Sequence, residues 1–173
     1  MRARGIDSLL DLGSGGGFPG VPIAAVLPAR RALLVESIAK KAAFLATALE
    51  ATGLAGRVAV AAERAEALGR DRRHREAWPA VTARAVARLS ELAELGLPLV
   101  SLGGCLVAWK RRPLGPELSD AAAGLQELGG GDPEIVDCPV PGLEDHVLVV
   151  VPKVRATPDA YPRHPAVRAR GRR

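Results

Sequence analysis

The sequence has few aromatic residues and no cysteine pattern, and both absences narrow the class of protein. Phe, Trp and Tyr together make up 3% of the 173 residues, whereas apolar residues make up 48%, so we expect a core of Ala, Leu and Val. Cys105 and Cys138 are the only cysteines, and their spacing matches neither a metal site nor a redox motif. We therefore predict one aliphatic-cored domain with two free thiols, as is usual in a reducing compartment.

Long apolar runs are missing as well. No run reaches the roughly 20 residues that a membrane-spanning helix needs. The start of the chain, MRARGIDSLL, lacks the apolar stretch of a signal peptide. These absences predict a cytoplasmic protein without a membrane anchor.

The most informative stretch is Leu9–Gly20, which reads LLDLGSGGGFPG. A short apolar run that contains Asp11 leads into the glycines and a second apolar segment, Val21–Leu27. Glycines accept positive φ and let a ligand approach bare backbone. The pattern predicts a strand, a tight loop and a helix that cradle a ligand at the carboxyl end of a parallel strand. The loop glycines expected to contact that ligand are Gly15 and Gly17.

The loop also lacks a cation, and this bears on the ligand. Gly15–Gly20 matches the dinucleotide fingerprint G-x-G-x-x-G, but no Lys or Arg occurs from Ile6 to Ala29. The carboxylate of Asp11 beside the loop disfavours a pyrophosphate and favours a cationic amino-acid group. S-adenosylmethionine is therefore the preferred ligand. There are two alternatives to this ligand. The chain is a nicotinamide-dependent dehydrogenase, or the glycines only shape a turn and bind nothing.

Acidic residues follow the next two predicted strands. Glu36 ends the strand Ala32–Glu36, 23 residues beyond Gly13, which is the spacing at which a carboxylate binds a ribose diol. Glu66 follows the strand Val58–Ala62 and is predicted to accept a hydrogen bond from an adenine amino group. The alternative role for Glu36 is to stabilise the start of the following helix, without contact to a ligand.

Arg84 follows the fourth predicted strand, Ala80–Ala83, and so lies beside the same crevice. A guanidinium there can bind a phosphate or a guanine edge in bidentate fashion, or it can pair with a carboxylate such as Glu66. Trp109 ends the fifth predicted strand, Cys105–Trp109. Its indole can stack on a base or belong to the core.

The alternation of elements predicts an α/β fold with a doubly wound, mostly parallel, Rossmann-like sheet of seven strands. The first five strands are expected to be parallel with right-handed crossovers, and a closing hairpin makes the last strand antiparallel. Ser37 is the expected cap of the helix after the second strand. The further predicted elements are helices Ile38–Thr52, Leu89–Leu99 and Leu118–Leu128, and the hairpin strands Ile135–Val140 and His146–Val151.

The basic character of the chain is concentrated at its end. Residues 153–173 hold seven Lys or Arg and one acid, whereas residues 1–152 hold 17 basic and 18 acidic residues. We predict a domain of residues 1–152 and an extended basic tail of residues 153–173. The tail is either a solvated extension or an arm that binds phosphates.

Taken together, these motifs resemble the glucose-inhibited division protein B family, the bacterial small-subunit ribosomal RNA guanine-N7 methyltransferases. The resemblance covers nearly the whole chain from Ser8. The matching stretches are DLGSGGGFPG (Asp11–Gly20), LLVES with KK and FL (Leu33–Leu45), ERAE (Glu63–Glu66), TARAVA (Thr82–Ala87), GG with AWK (Gly103–Lys110) and HVLVVVPK with TP and YPR (His146–Arg163).

The resemblance implies a class I methyltransferase that acts on 16S ribosomal RNA or a ribosomal particle. We expect the protein to be a monomer. S-adenosyl-L-methionine is the implied cofactor, with contacts at Gly13, Phe18, Ala65, Glu66 and Arg84. Guanine N7 carries a lone pair and needs no deprotonation, so no catalytic base and no metal are expected. Positioning then supplies the catalysis, with Arg84 orienting the substrate.

The chain departs from the family at its start, because family members carry a helical segment before the first strand. This departure favours one alternative, a truncated, inactive domain that binds cofactor or RNA. A methyltransferase for a substrate other than RNA is a second, separate alternative.

Overall fold

Strands and helices alternate along the chain, as the sequence predicts. The structure is a computed structural model and describes residues 6–27 and 31–170. The strands are β1 (Ser8–Leu12), β2 (Arg31–Val35), β3 (Val58–Ala61), β4 (Trp78–Arg84), β5 (Val100–Arg111), β6 (Glu134–Asp137) and β7 (His146–Pro152). The helices are α1 (Gly20–Val26), α2 (Ala39–Ala51), α3 (Ala65–Arg70), α4 (Leu89–Gly96), α5 (Gly115–Glu127) and α6 (Pro165–Arg170), and a 3-10 turn (Leu97–Leu99) follows α4.

All seven strands form one sheet in the order β3-β2-β1-β4-β5-β7-β6. The first five are parallel, β7 runs antiparallel to β5, and β6 pairs antiparallel with β7. This confirms the predicted sheet and its closing hairpin. The chain reverses its direction of travel across the sheet between β1 and β4. A crevice is expected outside the carboxyl ends of these two strands.

Side chains alternate between the two faces of the sheet along each strand. The two faces are covered unequally by helices. On the first face, α4 and α5 pack over β4, β5 and β7 in the larger apolar cluster. On the second face, α1 and α2 cover a smaller cluster that is confined to β1–β4 and their flanks. We call these the filled face and the open face. The filled face includes Leu10, Leu12, Val81, Ala83, Leu106, Ala108, Val147, Val149 and Val151, and the open face includes Leu9, Ala32, Leu34 and Ala80.

The start of α2 differs from the prediction. Its N-cap is Ile38, and no side chain caps it, so the assignment of Ser37 as the cap is wrong. The carboxylate of Glu36 accepts a hydrogen bond from the N–H of Ile38 at 2.8 Å instead. An acid at the strand end thus fixes the backbone that enters the helix, in place of a capping serine.

The segment after Pro152 is not an extended tail in the described residues. Lys153 is buried, and its Nζ donates to the carbonyl oxygen of Leu97 at 2.7 Å and lies 3.1 Å from Oε1 of Glu76. Burial lowers the pKa of Lys153, and the partner Glu76 opposes that change. Lys153 is therefore a structural cation rather than part of a solvated or phosphate-binding tail.

Two further cations of this segment pair with acids of the domain. Arg163 forms a two-pronged contact with Glu94, including Nη2 to Oε2 at 2.6 Å, and Arg168 in α6 pairs with Glu66 at 2.6 Å. Burial raises the pKa of Glu94, but the hydrogen bonds and charge of Arg163 outweigh it and leave the pKa lowered. Lys153, Arg163 and Arg168 of the segment predicted as a basic tail thus pair with acids of the preceding 152 residues.

Candidate active site

The glycine loop is shaped by close backbone packing at the end of β1. The N–H groups of Gly13 and Ser14 both donate to the carbonyl oxygen of Val35, at 2.9 and 3.0 Å. Gly13 has φ +69°, and a Cβ there would lie 2.7 Å from Cγ2 of Val86. Glycine is therefore required where the loop passes the segment after β4.

Asp11 lies beneath this loop rather than at its mouth. Its side chain is buried, and Oδ2 accepts the N–H of Gly20 at 3.1 Å, which fixes the first turn of α1. Within the described residues Oδ1 has no hydrogen-bond partner. Burial raises the pKa of Asp11 to about 6, although the N–H of Gly20 and the charge of Arg84 oppose this. Its carboxylate therefore shapes the loop and does not present an exposed charge to a ligand.

Glu36 lies where an acid for a ribose is expected. Its side chain is buried, with 6% of the residue exposed. Oε2 accepts the N–H of Gly15 at 3.0 Å and Oε1 accepts the N–H of Ile38 at 2.8 Å. Each oxygen keeps a second lone pair, so the two can still accept from a pair of hydroxyls. The backbone bonds hold the carboxylate in place for that purpose.

A cavity of about 680 Å³ opens at the carboxyl ends of β1 and β4. It brings together the loop, Glu36 and Arg84 with side chains of β5 and the β6–β7 hairpin. Gly13, Gly15, Phe18, Glu36 and Arg84 line it, so five predicted site residues share one cavity. The others that line it are Ser14, Gly16, Lys41, Ala83, Ala85, Val86, Ala87, Leu92, Trp109, Lys110, Arg111, Cys138, Leu143 and His146.

A second cavity of about 190 Å³ shares Gly13 and Glu36 with the first. Ala65, Glu66 and Arg168 also line it. The two predicted residues after β3 therefore adjoin the same carboxylate as the large cavity. Their contact with a cofactor, like that of the five residues above, stays a prediction.

Gly17 lines neither cavity. Its φ is +95°, and a Cβ there would lie 2.9 Å from Cγ2 of Val21 and 3.3 Å from Cδ2 of Leu45. This glycine shapes the loop against the helices behind it. The packing gives no support for the predicted contact of Gly17 with a ligand.

Arg84 points its guanidinium toward the ring of Phe18, with 5.9 Å from Cζ to the ring centroid. The alternative that it pairs with Glu66 is wrong, because Glu66 binds Arg168. In the part of the chain that the structure describes, no carboxylate lies within ion-pair distance of Arg84. Its charge is available to the cavity.

The residue after Arg84 has an unusual backbone. Ala85 has φ +57°, a left-handed conformation that costs a non-glycine residue roughly 1–2 kcal/mol. Such strain occurs at functional sites, where the surrounding structure maintains it. Here it turns the chain directly from β4 into the cavity wall.

Two further cavity residues, Lys110 on β5 and His146 on β7, were not predicted from the sequence. Lys110 is held by Oε1 of Glu117 at 2.5 Å and by the carbonyl of Ala87 at 2.9 Å. His146 is paired with Arg111 in the antiparallel register of β5 and β7. An antiparallel strand begins at the edge where its parallel neighbour ends, and this rule could have identified His146.

Trp109 lies half-buried in the cavity wall rather than in the core. Its indole N–H donates to Oγ1 of Thr82 at 2.9 Å. Arg84 and Trp109 are directly paired across β4 and β5. A cation and an aromatic ring thus stand side by side at the edge of the sheet.

The described residues contain no group of three or more His, Cys, Asp or Glu that could hold a metal ion. Among their helices, none has both the length and the apolar composition to cross a membrane.

The fold is that of S-adenosylmethionine-dependent methyltransferases. A predicted O-methyltransferase from Agrobacterium tumefaciens superimposes with a TM-score of 0.67 and 25% identity over 89% of this chain and 77% of its own. An S-adenosylmethionine-dependent O-methyltransferase from Thermotoga maritima has a TM-score of 0.65 at 16% identity, over 88% and 61% of the two chains. The shared sheet, with a cavity where the chain reverses direction between β1 and β4, places the chain in this class.

Sequence comparison then identifies the family. The family described as GidB, rRNA small subunit methyltransferase G, matches residues 2–138. Ribosomal RNA small subunit methyltransferase G from Roseiflexus sp. is 45% identical over 94% of this chain and 69% of its own length. The protein of the same name from Pelotomaculum thermopropionicum is 44% identical over 92% and 67%. The chain belongs to the GidB family, and it spans about two thirds of the length of these relatives.

Proposed function

We propose that the chain transfers a methyl group from S-adenosylmethionine to N7 of a guanine in 16S ribosomal RNA. The observation that carries this proposal is the cavity that joins a carboxylate cradle at Glu36 to a cation and an aromatic ring at Arg84 and Trp109. The first part suits a nucleoside and the second suits an RNA base. Membership of the GidB family supports the same substrate.

The residues present fit the cofactor. Gly13 and Gly15 line the cavity without side chains, and Glu36 keeps lone pairs for two ribose hydroxyls. Glu66 supplies an acceptor for an adenine amino group at the small cavity. When bound, S-adenosylmethionine supplies an electrophilic methyl group on its sulfonium.

The remaining chemistry is positioning by the side chains of this chain. Guanine N7 attacks through an in-plane lone pair, so no residue needs to remove a proton. Arg84 donates to guanine O6 or to a flanking phosphate, and Trp109 provides a face on which the base stacks. Ala83, Val86 and Leu92 supply an apolar wall that excludes water from the reacting groups.

The substrate also bears on location and assembly. Ribosomal subunits are made in the bacterial cytoplasm, so this proposal places the protein there. The structure holds one chain, and action as a monomer stays a prediction.

The decisive experiment is methyl transfer from labelled S-adenosylmethionine to small-subunit RNA, free and in particles, with mass spectrometry of the digested nucleosides. We expect N7-methylguanosine at one site. Arg84→Gln should lower kcat/KM by about 100-fold, the effect of misplacing a reacting group. Arg73→Gln is the matched control, because Arg73 is a surface residue that pairs with Asp71.

Other outcomes separate the alternatives. Label on another atom of the RNA would overturn the N7 assignment. Cofactor binding without any transfer would favour a binding domain, and transfer to a small molecule or protein would favour a different substrate class.

A further inference from the structure

We propose that Arg168 is a positioning residue of the cofactor site, which acts by holding the carboxylate of Glu66 at the adenine end. This inference rests on the proposed function, because it assumes that the small cavity receives the adenine of S-adenosylmethionine. It adds α6, which lies beyond the family match at residues 2–138, to the site.

The contact between Arg168 and Glu66 is short and shielded from water. Nη2 of Arg168 lies 2.6 Å from Oε1 of Glu66, with side-chain exposures of 15% and 12%. A second carboxylate, that of Glu91, lies 3.5 Å from the same nitrogen. A guanidinium fixed between two acids has little freedom, so it restricts the rotamers of Glu66 as well.

A second observation concerns Nη1, the other terminal nitrogen of Arg168. Nη1 is buried and has no hydrogen-bond partner among the described residues, although the side chain lines the small cavity. A buried donor without a partner is unfavourable by roughly 1–3 kcal/mol. An acceptor on a bound ligand would satisfy it.

The pair matches the edge of adenine. That edge carries an amino donor beside ring nitrogens that accept hydrogen bonds. The carboxylate of Glu66 can accept from the amino group, and Nη1 of Arg168 can donate to an acceptor of the ligand. A hypoxanthine ring carries oxygen in place of the amino group and does not offer Glu66 this donor.

The position of α6 does not depend on Arg168 alone. Five residues earlier, Arg163 binds both oxygens of Glu94 through its side chain, and its own N–H donates to Oε1 at 2.8 Å. This anchor remains when Arg168 is replaced. A substitution at Arg168 therefore tests the contact with Glu66 and leaves the docking of the segment in place.

The experiment is calorimetric titration of two ligands, S-adenosylhomocysteine and its hypoxanthine analogue S-inosylhomocysteine. The proteins are the full chain, Arg168→Gln, Arg168→Lys and the surface control Arg73→Gln. We expect Arg168→Gln to weaken S-adenosylhomocysteine about tenfold, and the hypoxanthine analogue much less, so that the preference for adenine falls. Arg168→Lys should recover part of that preference, and Arg73→Gln should leave it unchanged.

A double variant tests whether Arg168 acts through Glu66. Arg168→Gln combined with Glu66→Gln should weaken the binding of S-adenosylhomocysteine by less than the product of the two single losses, because the part of the Arg168 effect that passes through Glu66 is already gone. Additive losses would overturn the positioning role.

Three results of the titration would overturn the assignment. They are unchanged affinity in Arg168→Gln, tighter binding, which would make Arg168 a plug in the small cavity, or an equal loss for both ligands, which would indicate a merely structural role. Failure of the unaltered chain to bind S-adenosylhomocysteine would instead overturn the proposed function, and this assignment with it.

Discussion

The two faces of the sheet use the same strands for different purposes. On β5 and β7, Leu106, Ala108 and Val149 are fully buried on the filled face. Their neighbours Val107 and Leu148, which point to the open face, are only half-buried. The filled face is closed by α4 and α5, whereas the apolar cluster of the open face is confined to β1–β4.

The carboxyl end of the open face carries polar side chains in place of core. Cross-strand register puts Asp11 beside Thr82, and Arg84 beside Trp109. Arg84 and Trp109 line the large cavity. On β5 and β7, packing is therefore concentrated on the filled face, whereas the open face at the carboxyl end of β5 and the start of β7 lines the cavity, so that a change at Leu106 should leave the cavity intact.

The largest effect is expected from a pair of adjacent residues on β5. Leu106→Ala should lower the free energy of unfolding by about 3–4 kcal/mol, because it leaves a cavity in the filled face. Val107→Ala should cost about 1 kcal/mol, since its side chain is half-buried on the other face. Denaturant unfolding of both variants measures the difference. Equal losses of unfolding free energy would contradict the unequal packing of the two faces.

A pH effect of similar size is expected at Asp11. Its pKa rises from 3.8 to about 6 on folding, so the folded chain binds the proton more tightly than the unfolded chain does. The free energy of unfolding should therefore fall by about 2 kcal/mol as the pH rises from 4 to 6, out of about 3 kcal/mol over the whole titration. Asp11→Asn does not titrate and should lack this slope, and the difference between the two unfolding curves isolates it. Parallel curves would show that burial leaves this carboxyl unperturbed.

A smaller effect should separate two glycines of the same loop. Gly20→Ala places a Cβ 2.5 Å from Cδ2 of Leu34 and 2.6 Å from Oδ2 of Asp11, and we expect a loss of about 2 kcal/mol in unfolding free energy. Gly16→Ala meets no atom within 4 Å and should leave stability almost unchanged. Similar thermal midpoints for the two variants would show that α1 packs loosely on the open face.

The smallest effect is expected at Trp109, and it concerns binding rather than stability. Trp109→Leu should weaken the binding of small-subunit RNA by about 1–2 kcal/mol, as loss of one stacked base does. Thr82→Val removes the hydrogen bond to the indole but keeps the ring, so it should weaken RNA binding less. Filter binding at fixed salt measures both. Equal affinity of Trp109→Leu and the unaltered chain would assign the indole to packing alone.

The fold was predictable because its signals are local. The strands and their order along the chain are identified by short apolar runs, by the glycines after Leu12 and by the charged breaks between segments. The acids at Glu36 and Glu66 and the cation at Arg84 were predictable for the same reason. Each follows directly on a strand, and parallel strands present their ends at one edge.

The remaining features depend on how deeply a side chain is buried and on contacts between residues far apart in the chain. The spacing of residue types along the sequence indicates neither. Asp11 is next to the loop in sequence but beneath it in space. Arg168 and Glu66 are 102 residues apart, and Arg163 and Glu94 are 69 apart. A count of charges therefore predicted a basic tail, solvated or phosphate-binding, where the structure pairs Lys153, Arg163 and Arg168 with acids.

The measurement that tests the division between the two faces most directly is titration of S-adenosylhomocysteine into Glu36→Gln and Leu106→Ala, at a temperature where both are folded. Glu36→Gln should bind about tenfold more weakly, because it loses the charged acceptor at the cradle. Leu106→Ala should bind within twofold of the unaltered chain despite its lower stability. Normal binding by Glu36→Gln, or an equal loss in Leu106→Ala, would contradict the account.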